Sequence, residues 1–161
     1  MSDDDLTHVD AVGNARMVDV GDKAVTTRTA TARGTISLSR SALQAVIDRS
    51  AKKGDVLTIA QIAGITGAKR TADLIPLCHP LPLSGVDLTF EIDEVRSCIT
   101  CRATVRTDGR TGVEMEALTA VSTALLTVYD MLKAVDRTMT LSEIALLHKA
   151  GGRTGTWRRD G

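Results

Sequence analysis

The sequence predicts an α+β domain in which an antiparallel sheet is covered by helices on one face, and three observations carry that expectation. Apolar and polar residues alternate in separate stretches near residues 29–38, 86–92 and 99–105, which is the two-residue period of half-buried strands. Other segments repeat their apolar residues at three and four, the longest spanning 112–136. The resulting order is strand, two helices, two strands, long helix, strand, in 161 residues with no internal repeat or linker. A chain of that length forms one domain burying roughly 68–70% of its unfolded surface, so it needs no disulfide or metal staple.

Residues 1–15 are acidic and aperiodic, and a mobile amino-terminal arm is expected there. A single domain is expected over 16–155, with 156–161 as a tail. The first strand runs from Thr29 to Leu38, with Ala30, Ala32, Gly34, Ile36 and Leu38 on one side. Ser39 is placed to cap a helix over Arg40–Arg49, whose Leu43, Val46 and Ile47 share a face. Gly54 marks the turn that follows. A second helix carries Val56, Ile59, Ala60 and Ala63, and Gly64 and Gly67 weaken it toward its end. After the proline-punctuated LIPLCHPLPL come two strands, Val86 to Ile92 and Ile99 to Val105, with a turn around Glu94 to Ser97. In the long helix Leu118, Val121, Leu125, Val128, Leu132 and Val135 form the apolar stripe, while Ala117, Ala120 and Ala124 permit close packing. The final extended segment is Met139 to Leu147, followed by a Gly-rich basic tail.

Composition excludes several functions. Twenty Lys+Arg balance twenty Asp+Glu, so global charge names no partner. Three aromatic residues, Phe90, Tyr129 and Trp157, are too few for the stacking platforms of a single-stranded nucleic-acid binder, and no nucleic acid is expected. No apolar run approaches the ~20 residues of a membrane span, and the acidic start MSDDDL is unlike a secretory signal. A cytoplasmic protein with no membrane partner and with reduced thiols is therefore expected. Cys98 and Cys101 spell C-x-x-C, but in a strand an odd separation turns their thiols to opposite faces, which argues against joint metal binding.

Four polar residues of the long helix, Glu116, Thr123, Asp130 and Lys133, recur at seven, seven and three and make a second face beside the apolar stripe. An ordinary solvated face with an Asp130/Lys133 pair accounts for that spacing as well as a site does. Glu114 stands four residues before Leu118, in line with the stripe, so a half-buried carboxylate with a perturbed pKa is expected there. His79, preceded by Cys78 and Leu77 and flanked by Pro76, Pro80 and Pro82, sits on a stiff segment suited to present a catalytic group or a packing histidine. The basic groups are Lys23 and Arg28, Lys52 and Lys53, Lys69 and Arg70, and His148, Lys149 and Arg153. If they converge they hold a polyanion, and the nearby Gly151, Gly152 and Gly155 admit backbone amides as well. The string GITGAKRT lacks Walker spacing, no G-x-G-x-x-G follows a strand, and G-x-S-x-G and H-E-x-x-H are absent.

The strings KGDV (53–56), AGI (63–65), AKRT (68–71), DLIPLCHPL (73–81), TGVEMEALTA (111–120) and YDM-x-KA (129–134) together resemble the cyclic pyranopterin monophosphate synthases of molybdenum-cofactor biosynthesis. The resemblance spans about His8 to Gly155. It implies a ferredoxin-like α+β fold and a lyase that rearranges 3′,8-cyclo-7,8-dihydro-GTP into a pyranopterin and closes a cyclic phosphate with loss of pyrophosphate. It also implies a homohexamer, a trimer of dimers with sites at the dimer interface. Carried over motif by motif, the catalytic residues are Asp130, Lys133 and Lys53. Substrate contacts fall on Leu77, Cys78, His79, Glu114, Met115 and Glu116, with Lys23, Arg28 and Lys149 as basic contacts. No organic cofactor and no resident metal are implied, and Mg²⁺ enters only as a companion of the triphosphate. The chain departs at Ala150 and Arg153, where the family commonly reads KSGGKSG, so triphosphate contacts there do not carry over. Ala72 also departs, without functional weight. A non-catalytic nucleotide-binding regulator is the competing reading. It would need the basic groups but not Glu114, Glu116 and Asp130 together, and it would release no pyrophosphate.

Overall fold

The computed structural model describes Val9 and residues 12–160. Its elements are β1 (Thr26–Ser37), α1 (Arg40–Ile47), α2 (Val56–Lys69), α3 (Thr71–Leu74), β2 (Leu83–Asp93), β3 (Cys98–Gly109), α4 (Glu114–Leu132), β4 (Thr140–Ala150) and β5 (Trp157–Arg158). The expected arm falls largely outside the described residues, though Val9 and Ala15 form an isolated bridge. The sheet is antiparallel throughout in the order β2-β3-β1-β4-β5. Without β5 this is the ferredoxin-like arrangement. The helical crossover from β1 to β2 passes over β3, and α4 carries the chain from β3 to β4 over β1.

The first strand starts three residues earlier than alternation suggested and runs in unbroken register with β3, from Thr26 opposite Gly109 to Ser37 opposite Cys98. Ala30, Ala32 and Ile36 of β1 and Ile99, Cys101, Ala103 and Val105 of β3 point to the helix side and are fully buried. Their partners on α4 are Ala117, Ala120, Val121, Ala124, Leu125, Val128 and Leu132, also inaccessible to solvent. The opposite face of the sheet is polar. Thr31 and Thr104 hydroxyls meet at 2.9 Å there, and Arg106 pairs with Asp87. Cys98 and Cys101 are free and lie on alternate sides of β3, and burial pushes the Cys101 thiol up to about 12.

Ser39 caps α1 as expected, its Oγ accepting from Ala42 N at 3.3 Å. The helix stops at Ile47, two residues short of the expected end, and Ile47 is exposed where Ala42, Leu43 and Val46 are buried. In α2 the expected weakness at Gly64 and Gly67 is a contact surface instead. A Cβ on Gly64 would overlap Leu88 and stand 3.0 Å from the Ala120 carbonyl, and one on Gly67 would stand 2.8 Å from Thr123 Cβ. Glycine is there because two helix backbones approach. Gly67→Ala gains about 1 kcal/mol of helix propensity. It meets a stiff β-branched Thr123, so a net loss of about 1–3 kcal/mol is expected in urea unfolding, and a stabilised variant would show that the helix pair yields.

At 19 residues and a mean hydropathy of 1.2, α4 is long and apolar enough to cross a bilayer, which corrects the expectation that no segment approaches that length. Its apolar side chains are used between the sheet and α2. The helix is shorter than the 112–136 periodicity, and Val135 lies beyond its end, exposed.

Candidate active site

Two turns of structure at opposite ends of α4 carry the candidate chemistry. At the amino-terminal end an open cleft of about 450 Å³ is walled by the proline-punctuated segment, by the start of α4 and by residues 18–23. It brings together Leu77, Cys78 and His79 with Glu114, Met115 and Glu116, and Lys23 reaches it from the strand-free segment before β1. Seven of the residues expected on substrate thus share one wall system. Val18 and Val20 also line it and had no signal in the sequence, since neither periodicity nor chemistry marks them, and Thr111 lines it as the first residue of the TGVEMEALTA string, to which no contact was assigned.

The first turn of α4 corrects the carboxylate assignment. Glu114 is half-buried, as its place in the stripe suggested. The deeply buried group is Glu116, 4% exposed, which the polar-face reading would have put in solvent. Burial pushes Glu116 up to about 7, with the nearby Glu114 charge acting in the same direction. The helix amino terminus favours the ionised form, and the Glu116 backbone N–H does lower the value, but desolvation outweighs it. Cys78 is raised as well, by burial first and by the Glu116 charge second. It is a neutral thiol and not a ready nucleophile.

A second cleft adjoins the first through Lys23, which lines both. Its other walls include Arg28, Gly152, Arg153 and Thr154. Arg28 donates from Nε to the Gly109 carbonyl at 2.9 Å and from Nη2 to the Arg110 carbonyl at 3.0 Å. Gly151 and Gly152 adopt φ of 98° and 74°, a conformation that costs other residues strain, and they press against Thr27 and Arg28 without room for a Cβ. Lys149 Nζ bonds the Thr154 hydroxyl on the same turn. Of the basic groups, Lys23, Arg28, Lys149 and Arg153 therefore converge on one turn. Lys69 and Lys52 are exposed elsewhere, and Arg70 pairs with Asp73 at 3.4 Å.

At the carboxy-terminal end of α4, Asp130 lies between two ammonium groups, Lys133 Nζ at 2.6 Å from Oδ1 and Lys53 Nζ at 2.9 Å from Oδ2. Lys53 Nζ also donates to the Asp130 carbonyl at 2.9 Å. Hydrogen bonds from Lys133 and then Lys53 bring Asp130 down to about 2, so it is a fixed anion that orients both lysines. Lys53 belongs to the turn before α2, and no local pattern could have paired it with a residue 77 positions away. Close by in the chain, Asp136 accepts from Thr138 Oγ1 at 2.7 Å and Ser39 N at 2.7 Å, and is held at about 2 by those bonds, Thr138 first. That buried carboxylate ties the end of α4 to the cap of α1 and is structural.

Glu116 and Asp130 are fourteen residues apart on one straight helix, roughly 21 Å at 1.5 Å per residue. Within one chain the cleft and the lysine pair do not meet, contrary to the grouping that the polar face of α4 suggested. Among the described residues no group of three or more His, Cys, Asp or Glu could hold a metal ion.

Comparison with known proteins identifies the family of the chain. A protein of Thermomicrobium roseum named cyclic pyranopterin monophosphate synthase is 60% identical over 156 residues, covering 97% of this chain and 94% of its own length. Proteins of the same name from two strains of Chloroflexus aurantiacus are 57% identical over 155 residues, covering 96% of this chain and 95% of theirs. The profile of the MoaC family matches residues 17–152, which takes in both clefts except Arg153 and Thr154, and all of the Lys53–Asp130–Lys133 cluster. On that match and those identities, the chain belongs to the MoaC family.

Proposed function

We propose that this chain is a cyclic pyranopterin monophosphate synthase, a lyase that converts 3′,8-cyclo-7,8-dihydro-GTP into cyclic pyranopterin monophosphate and pyrophosphate. The observation that carries the reading beyond family membership is the pair of adjoining clefts with different chemistry. One is apolar with a buried carboxyl that titrates near neutrality, and the other is basic and edged by glycines. A purine ring fits the first and a triphosphate the second, with Lys23 between them. Glu116 at about 7 gains and loses a proton readily at neutral pH, which suits acid/base work on a rearranging ring, and His79 stands in the same wall. Arg28, Arg153 and Lys149 neutralise phosphate charge. Any Mg²⁺ arrives with the phosphates.

The separation of Lys53, Asp130 and Lys133 from the cleft supports a site shared between copies. In a two-fold dimer the lysine pair of one subunit completes the cleft of the other, and three such dimers make the hexamer.

Subunit mixing tests this directly. Asp130→Asn and Glu116→Gln homomers are each expected to be nearly inactive. Dissociated and reassociated together, they should recover up to about a quarter of wild-type pyrophosphate release, because a mixed dimer holds one intact site of two. Mixtures that stay as inactive as their parents would confine each site to a single chain.

A further inference from the structure

Residues 16–23 belong to no helix or strand, yet they form one wall of the cleft through Val18, Val20 and Lys23. Two of the hydrogen bonds there stay within the segment. Gly21 N donates to Asp19 Oδ1 at 2.8 Å, and Lys23 N donates to the Val20 carbonyl at 3.1 Å. These shape a turn but do not attach it to the body. The attachment comes from Arg110, in the loop between β3 and α4, whose Nη1 donates to the Gly21 carbonyl at 2.8 Å. The Arg110 loop is itself fixed from below, since Arg28 of β1 holds the carbonyls of both Gly109 and Arg110. Two arginines in series therefore run from the sheet to the segment, β1 to loop to turn. The second of them ends two residues from Lys23, where the two clefts join.

We propose that Arg110 is a positioning residue that latches residues 18–23 as a strap across the cleft and so sets Lys23 between ring and phosphates. The inference rests on the cleft being the substrate's, as proposed above. Arg110 itself lines neither cleft. Its guanidinium contributes by removing the freedom that the strap would otherwise lose on binding, a loss that appears in substrate affinity more than in the chemical step. Lysine at this position keeps a charged donor able to reach a carbonyl, whereas glutamine is shorter and uncharged.

The experiment uses the full chain with Arg110→Gln and Arg110→Lys, and reads both protease sensitivity and steady-state kinetics. Trypsin cuts after Arg16 and Lys23, two bonds that flank the strap on either side. Arg110→Gln should be cut there about tenfold faster than wild type, with thermal melting nearly unchanged because Arg110 is exposed. Its KM should rise about tenfold with kcat within about threefold, and Arg110→Lys should restore most of both. Unaltered cleavage and unaltered KM in Arg110→Gln would overturn the latch, as would faster cleavage equally present in Arg110→Lys. Trypsin protection needs no turnover. A wild-type chain that released no pyrophosphate would therefore sink the proposed activity, while the cleavage rates still decided the latch.

Discussion

Asp130→Asn and Lys133→Ala should each slow single-turnover pyrophosphate release by at least ~10²-fold while the thermal melt of the folded protein stays close to wild type. The expectation follows from how Asp130 is held. Each of its carboxylate oxygens accepts from a different lysine, at 2.6 and 2.9 Å, and the group is about half-exposed. An exposed ion pair contributes little to stability, so losing it leaves the fold intact. Its effect on the lysines is larger. An asparagine cannot neutralise two ammonium groups a few ångströms apart, and Lys53, on a turn, would swing away from Lys133. If Lys53 and Lys133 place positive charge or a proton at the reacting centre, that displacement is felt in turnover. Ligand binding should weaken far less than turnover, because the walls that hold ring and phosphates, from Leu77 to His79 and from Lys23 to Arg28, are unaltered in both variants. Near-normal release from either well-folded variant would return the cluster to an ordinary surface ion pair.

Glu116→Gln should flatten part of the stability profile between about pH 4.5 and pH 8 and make the protein more stable than wild type at the alkaline end. Glu116 in the folded chain keeps its proton up to about 7, whereas an unfolded glutamic acid releases it near 4.5. Between those values the native state binds more protons than the unfolded state, so stability falls as pH rises. The stabilising contribution is fully present below about 4.5 and lost on passing through about 7. A difference of that size corresponds to about 3 kcal/mol, and glutamine, nearly isosteric with the protonated acid, does not titrate. Urea unfolding at fixed protein concentration across that range reads the effect, since an oligomer's stability depends on concentration. A variant whose curve parallels wild type would mean that Glu116 is solvated in the working assembly. Turnover should fall in the same variant, so stability gained above neutrality would come with function lost.

Local pattern alone determined a good part of this protein. Alternation through Ala30, Ala32, Gly34 and Ile36 marked the inner face of β1, and the three-four repeat through Val121, Leu125, Val128 and Leu132 marked the inner face of α4, because side-chain direction has a fixed period in each element. The motif strings around Cys78, Glu116 and Asp130 were enough to place the chain in its family. Element ends, the short α3 and the two-residue β5 were not legible, since so few residues establish no period. Which carboxylate is buried was decided only by packing. The stripe pointed to Glu114, but the buried Glu116 shares its cleft with Ile75, Leu77 and Cys78 of the proline-punctuated segment, a contact between distant parts of the chain that a single periodicity does not show. In the same way the pairing of Lys53 with Asp130, and the distance from both to the cleft, arise from the antiparallel passage of α2 against α4. Periodicity records what each residue's neighbours along the chain impose, while desolvation and charge pairing depend on groups that only the folded chain brings within a few ångströms.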